Sequence, residues 1–146
     1  DDRNLEALIS VYTKRLKHYV NFELEIIPDL KKTKNLSEEQ QKEKEGELIL
    51  NKITAQDQLI LLDENGKELN SVKFADYLQK KMNSGIKTLV FVIGGPYGFS
   101  EAVYAKAQGK VSLSKMTFSH QMIRLFITEQ IYRGFTILRN EPYHHR

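Results

Sequence analysis

The sequence predicts an α/β fold, a mostly parallel sheet flanked by helices, built as a single domain over residues 1–146. Three observations lead there. Segments with helical periodicity alternate along the chain with short strand-like runs, and strands separated by helices pair in parallel. One run, Thr88 to Ile93, reads as a continuous apolar strand of the kind buried on both faces. A chain of 146 residues also falls within the range of one domain with one adequate core.

Taken in order, Leu5, Leu8, Ile9, Tyr12, Leu16 and Tyr19 recur at three- and four-residue steps and make an amphipathic helix over about residues 3–19. Phe22 to Ile27 reads as a strand ended by Pro28. Lys31 to Leu36 is a polar loop, and Ser37 with Gln40 forms a capping box that opens a charged helix to about Ile53. Gln58 to Asp63 is the next strand, closed by the turn Glu64-Asn65-Gly66-Lys67. Ser71 is placed to cap a helix through Met82. After the strand at Thr88 to Ile93 come a glycine-rich loop, a short helix from Ser100 and a brief strand at Val111 to Leu113. A second loop then leads into a long helix from about Ser119 to Arg133.

Composition narrows the function. Hydrophobic residues make up 40% and charged residues 28%, and no apolar run is long enough to cross a bilayer, so no membrane association is expected. Cysteine is absent, which excludes disulfides and thiolate ligands for zinc or an iron–sulfur cluster and fits a reducing cytoplasm. The start, Asp1-Asp2-Arg3-Asn4, has neither an initiator Met nor the apolar core of a secretion signal, and reads as trimmed. Net charge is only +3, but it is unevenly spread. Residues 1–84 carry 14 Lys/Arg against 16 Asp/Glu, and residues 85–146 carry 8 against 3. The second part also holds three of the four His and nine of the fourteen Phe/Tyr, a mixture that suits phosphates and unstacked bases.

In an open parallel sheet, ligands bind beyond the carboxyl ends of strands, which directs attention to the loops after Asp63, Ile93 and Leu113. The middle one reads Gly94-Gly95-Pro96-Tyr97-Gly98-Phe99-Ser100. Its glycines either admit a ligand close to the backbone or serve a tight strand-to-helix turn capped by Ser100. No G-x-G-x-x-G occurs, and Gly66-Lys67 and Gly109-Lys110 are not followed by Ser or Thr, so the standard dinucleotide and ATP loops are absent. Gly98-Phe99-Ser100-Glu101-Ala102 approaches the G-x-S-x-G elbow of serine hydrolases. The chain is too short for that fold, and its last Asp is Asp76, so the acid-then-His order could be met only formally, by a Glu such as Glu129 before His144.

The run Leu89-Val90-Phe91-Val92-Ile93-Gly94-Gly95-Pro96-Tyr97-Gly98 resembles the glycine loop of the RlmH family of SPOUT-class ribosomal RNA methyltransferases. Leu113-Ser114-Lys115-Met116-Thr117-Phe118-Ser119-His120-Gln121-Met122 is similar to that family's second cofactor loop. Glu129-Gln130-Ile131-Tyr132-Arg133 and a terminal Tyr143-His144 follow in the family's order and spacing, while Lys44-Glu45-Gly46-Glu47 and Leu62-Asp63 also match. The resemblance covers nearly the whole chain. It implies a SPOUT-type α/β knot, with the C-terminal segment threaded as a deep trefoil, and a homodimer. The implied activity is S-adenosylmethionine-dependent methylation of N3 of a pseudouridine in 23S ribosomal RNA, within the large ribosomal subunit or assembled ribosome.

By the same resemblance the cofactor contacts become Leu62, Gly94 and the stretch Leu113, Ser114, Lys115, Met116, Thr117 and Phe118. Methyl transfer from a sulfonium needs alignment and no metal, but the N3 proton must leave, so a base or an anion-stabilising group matters. The candidate catalytic residues are His144 as base, with His145 as its alternative, Arg133 as stabiliser or phosphate contact and Tyr143 for stacking. Glu129 is one turn before Arg133, spaced to orient it as an i, i+4 ion pair. Met122, Ile123, Leu125, Phe126, Ile127 and Ile131 form a stripe wider than one sheet-facing side needs, in line with burial in a dimer. The chain departs from the family in starting after the family's first strand, in Ser119 where relatives often have Pro, and in the doubled histidine of Tyr143-His144-His145-Arg146. The alternative from another class is a non-catalytic α/β module that binds RNA or protein through its basic half.

Overall fold

The computed structural model describes residues 1–145; Arg146, the last residue of the tail, lies outside the described residues. The elements are α1 (Arg3–Leu16), a 3₁₀ turn (Thr33–Asn35), α2 (Glu38–Leu50), β1 (Asp57–Glu68), α3 (Ser71–Asn83), β2 (Thr88–Ile93), α4 (Glu101–Lys106), β3 (Gly109–Ser112) and α5 (His120–Leu138). They fall into two compact units. A helical unit comprises Asp1–Leu24, Glu68–Gly85 and the chain from Leu113 on, and an α/β unit comprises Glu25–Lys67 and Ile86–Ser112.

In the α/β unit the sheet order is β2-β1-β3, and β1 pairs parallel with β2 from Asp57↔Thr88 to Leu62↔Ile93. The alternation of β1 sends Leu59 and Leu61 into a core with Ile49 of α2 and Phe99 and Val103 at α4. Ile60, pointing to the opposite face, is also fully buried. The strand buried on both faces is therefore β1 and not β2, whose residues are exposed at Thr88 and half-buried thereafter. The sheet order explains this, because β1 has a neighbour on each side and β2 has only one among the described strands.

Glu64-Asn65-Gly66-Lys67 does not turn the chain; β1 runs through it to Glu68. An added Cβ on Gly66 would lie 2.7 Å from the Val111 nitrogen and 2.8 Å from the Lys110 carbonyl carbon. Glycine here permits the close approach of another backbone within a strand. β3 also begins earlier than Val111, since the Gln108 amide donates to the Leu59 carbonyl at 2.8 Å and Gln108 Oε1 accepts from the Leu59 amide at 2.6 Å. Phe22 to Ile27 forms no strand. Its alternation is real, but a strand needs a paired edge, and the described sheet contains only β1, β2 and β3.

Local signals hold at the helix starts. Ser37 and Gln40 form the reciprocal capping box of α2, Ser100 caps α4 and Ser119 caps α5. At α3 the cap is Asn70, whose side chain accepts from the Lys73 amide, while Ser71 is freed to donate to Gln130 of α5 at 2.8 Å. In the helical unit α5 packs against both α1 and α3. Gly134 makes the α3 contact possible, since a Cβ there would meet Leu78 Cδ1 at 2.9 Å. Asp2 caps α1, and its backbone exchanges two 2.9 Å hydrogen bonds with the Gln121 side chain of α5.

A methyl group at Gly66 has only backbone to press against, so Gly66→Ala is expected to destabilise the protein by about 1–3 kcal/mol. A chemical-denaturation midpoint equal to that of the unsubstituted protein would show that β1 and β3 do not approach this closely.

Candidate functional site

Helix α5 extends five residues beyond the predicted end at Arg133, and this extension builds the site. It closes at Asn140, which takes a left-handed conformation with φ 55°. The Asn140 amide donates to Ile137 O at 3.1 Å and the Glu141 amide to Thr136 O at 2.9 Å, the paired bonds of a Schellman closure. The tail then runs back along α5.

Glu129 and Arg133 sit one turn apart on α5, and Arg133 Nε donates to the two Glu129 carboxylate oxygens at 2.9 and 3.2 Å. That hydrogen bond raises the Arg133 pKa further, keeping it a fixed cation. Arg133 Nη1 lies 3.0 Å from His144 Nδ1, and the guanidinium carbon stands 4.7 Å from the centroid of the Tyr143 ring. Tyr143 packs edge-on to Tyr132 at 4.8 Å and donates its hydroxyl to the Tyr12 hydroxyl at 3.3 Å. Burial first, then the Tyr12 hydrogen bond and the nearby Glu129 charge, push the Tyr143 phenol well up, so it stays protonated.

A guanidinium has no acceptor, so the Nδ1 of His144 must accept from Arg133, and the ring is a neutral imidazole carrying its proton on Nε2. Of the two adjacent histidines, His144 joins the cluster and His145 is exposed. The structure thus brings together Glu129, Arg133, Tyr143 and His144. Sequence reasoning missed Tyr12, which it read only as part of an apolar stripe. The available signal was its hydroxyl, which needs a partner when a tyrosine is half-buried among leucines.

The proposed cofactor residues are distributed over both units. In the α/β unit, Leu62 stands opposite Ile93 in the parallel ladder and Gly94 follows directly. The glycine loop makes a tight turn, with the Gly98 amide donating to Gly95 O at 3.1 Å and Gly98 at φ 85°. A Cβ on Gly94 would meet the Phe99 ring at 2.9 Å, and one on Gly95 would meet the Glu45 carboxylate. The protein's own packing therefore constrains Gly94 against the buried Phe99 ring, whereas the Glu45 side chain could swing aside from a Cβ at position 95. Glu45 accepts from Gln41 at 3.3 Å through Oε2, while its Oε1 is buried without a hydrogen-bond donor among the described residues. In the helical unit, Ser114 Oγ accepts from the Met116 amide at 2.9 Å, and Lys115 pairs with Glu68 at 3.5 Å. Phe118 packs edge-on to Phe126 at 5.1 Å, Leu113 is half-buried and Thr117 exposed. Met116 is 74% exposed, which rules out a core-packing role for its side chain.

A family model described as predicted SPOUT methyltransferase matches residues 1–144. The chain belongs to the SPOUT methyltransferase family. Proteins named ribosomal RNA large subunit methyltransferase H from Flavobacterium johnsoniae, Flavobacterium psychrophilum and Christiangramia forsetii are similar to it, at 75%, 74% and 68% identity over 146 residues. Each comparison covers 100% of this chain and 93% of the relative. The RlmH resemblance read from the glycine loop, the second loop and the tail is thus matched by relatives of that name along the whole of this chain. In this SPOUT chain, among the described residues, no three His, Asp or Glu side chains gather as metal ligands would, and no helix is long and apolar enough to cross a membrane.

Two tyrosines report the packing of the two units separately. Burial and the Glu141 hydrogen bond push Tyr19 in the helical unit up from 10 to about 12. Burial and the bond to Asp63 push Tyr104 in the α/β unit up from 10 to about 12. A raised phenol pKa contributes stability that is fully present below pH 10 and lost as pH climbs through 12. Ultraviolet titration should therefore show phenolate absorbance still rising near pH 12, and Tyr19→Phe with Tyr104→Phe should reduce that late portion without abolishing it, because Tyr143 also titrates late. A titration complete by pH 11 in the unsubstituted protein would contradict both hydrogen bonds.

Proposed function

We propose that this chain is an S-adenosylmethionine-dependent methyltransferase acting in the cytoplasm on N3 of a pseudouridine in 23S ribosomal RNA, in the large subunit or the assembled ribosome. The observation that carries this reading is the 68–75% identity, across the whole chain, to proteins named ribosomal RNA large subunit methyltransferase H. The convergence of Glu129, Arg133, Tyr143 and His144 supports it independently. The knotted C-terminal segment, the single-domain organisation and the homodimer are proposed with the family. Met122, Ile123, Leu125 and Phe126 on α5 are only half-buried, which favours further burial against a partner, and sedimentation as a monomer would refute the dimer.

The residues present suit the cofactor. The donor-less Glu45 Oε1 beside Gly95 is matched by a ligand bearing hydroxyl or ammonium donors, and the exposed thioether of Met116 is an apolar surface with no role in the core. Leu62, Gly94 and Leu113 to Phe118 are the proposed contacts. S-adenosylmethionine, when bound, supplies a methyl group already activated for transfer.

The remaining task is the N3 proton of the target base. His144 is proposed to take it, but with Nδ1 held by Arg133 and Nε2 protonated, neither nitrogen has a free lone pair. The imidazole becomes a base only when Arg133 releases Nδ1, and an RNA phosphate or a base carbonyl oxygen can draw the guanidinium away. Substrate binding then switches on the base, while Glu129 continues to hold Arg133 and Tyr143 supplies a ring face.

Adding the cofactor at 100 times its dissociation constant should stabilise the protein by about 2.7 kcal/mol, seen as a higher melting temperature. Deleting Tyr143 to Arg146 should leave that stabilisation nearly intact but lower methyl transfer to ribosomes by about 10²-fold or more. His144→Ala should account for most of the loss and His145→Ala for little of it. Absence of any cofactor stabilisation would favour the non-catalytic binding module; full activity of the deletion variant would remove the tail from catalysis and leave Arg133 as the leading group.

A further inference from the structure

Three guanidiniums surround one cluster of rings in the helical unit, and only one of them is neutralised. Tyr132 packs against Tyr12 at 5.8 Å and Tyr19 at 5.9 Å, and Tyr19 stacks on Phe135 at 5.8 Å. Arg133 is paired with Glu129. Arg15 lies 5.5 Å from the centroids of both Tyr12 and Tyr132, and Arg139 lies 4.6 Å from that of Tyr19. Both are exposed, and among the described residues neither makes an ion pair. The carboxylate of Glu141, two residues from Arg139, is instead engaged by the Tyr19 hydroxyl at 2.9 and 3.0 Å.

This arrangement differs from a scatter of surface charge. A guanidinium held against an aromatic ring keeps its N–H edge free while losing much of its rotational freedom, so little entropy remains to be lost when an anion is bound. The planar fork then matches two oxygens of a phosphate. Exposed Lys14, Lys17 and His18 at the same end of α1 add to the local cationic or polar character, opposed by Glu141 and by Glu129, which is already spent on Arg133. Two unpaired guanidiniums fixed on tyrosines, linked through Tyr132 to the Tyr143 ring, suit a polyanion whose charges recur along a backbone.

We propose that Arg15 and Arg139 form a phosphate-binding strip that grips the sugar–phosphate backbone of the substrate RNA beside the Arg133–His144 pair. The identity of the RNA rests on the function proposed above. The strip carries affinity and orientation and reads no sequence, as backbone contacts do. It would also supply the geometry by which substrate arrives at Arg133, whose release of His144 the chemistry requires.

The test is equilibrium binding of the protein to protein-free 23S ribosomal RNA, to purified large subunits and to assembled ribosomes over a salt series, for the unsubstituted protein, R15Q, R139Q and the double variant. Each single change should lower the magnitude of the log–log salt slope by about one and the double change by about two, with affinity at fixed salt falling several-fold each time. Cofactor affinity should not move. A double variant with an unchanged slope, beside an unsubstituted protein that binds normally, overturns the strip and leaves the proposed function standing. Weakening on large subunits with none on protein-free RNA overturns it too, pointing to an acidic ribosomal protein. An unsubstituted protein with no salt-dependent binding to the RNA, the subunit or the assembled ribosome overturns the proposed function and the strip together.

Discussion

The left-handed turn at Asn140 is the constraint on which the candidate site depends. Asparagine tolerates this conformation better than other residues with a side chain, and here two backbone hydrogen bonds stabilise it. With α5 closed in this way, Glu141 comes to the Tyr19 hydroxyl, Tyr143 to Tyr12 and Tyr132, and His144 to Arg133. A helix that stopped at Arg133 would leave the same residues on an untethered end. Order in the tail is thus a product of helix capping, reinforced by ring contacts, and does not rely on a buried apolar anchor.

Arg133 is the hub of that arrangement because a guanidinium can serve several partners at once. Its Nε faces a carboxylate, its Nη1 an imidazole and its flat face an aromatic ring. Lysine could meet the first demand but not all three. The ammonium it offers has no planar fork and no face for stacking. Charge balance in the cluster follows: one cation, one carboxylate, a neutral imidazole and a protonated phenol, a set that can sit partly out of water without an uncompensated charge.

Much of this was legible in the sequence, and the failures have physical causes. Helix starts were readable because capping is local, as at Ser37, Ser100 and Ser119; the one misplaced cap, Ser71 for Asn70, involved two neighbouring polar residues that both suit the role. Glu129 and Arg133 were recognisable as a pair because helical spacing alone brings them together. Strand limits were not readable. Asn65-Gly66 carries the composition of a turn, and only the nearness of the Lys110–Val111 backbone reveals that the glycine serves a strand interior. Phe22 to Ile27 has strand alternation, but pairing is decided by a neighbour that local sequence does not contain. The partners of His144 and Tyr143 depend on a helix end and on a tyrosine 131 residues earlier, and neither could be inferred from spacing.

The reciprocal bonds between Asp2 and Gln121 span 119 residues, and they carry a consequence for biosynthesis. α1 is made before α5, the helix against which it packs, with every other element between them. Until α5 has been made, the apolar stripe of α1 lacks this partner, and its burial there waits on closing that loop. The helical unit therefore completes its packing only once α5 is available. The α/β unit, made wholly of residues before Leu113, can assemble its strands earlier, so the nascent protein passes through a stage in which one unit is formed and the other waits.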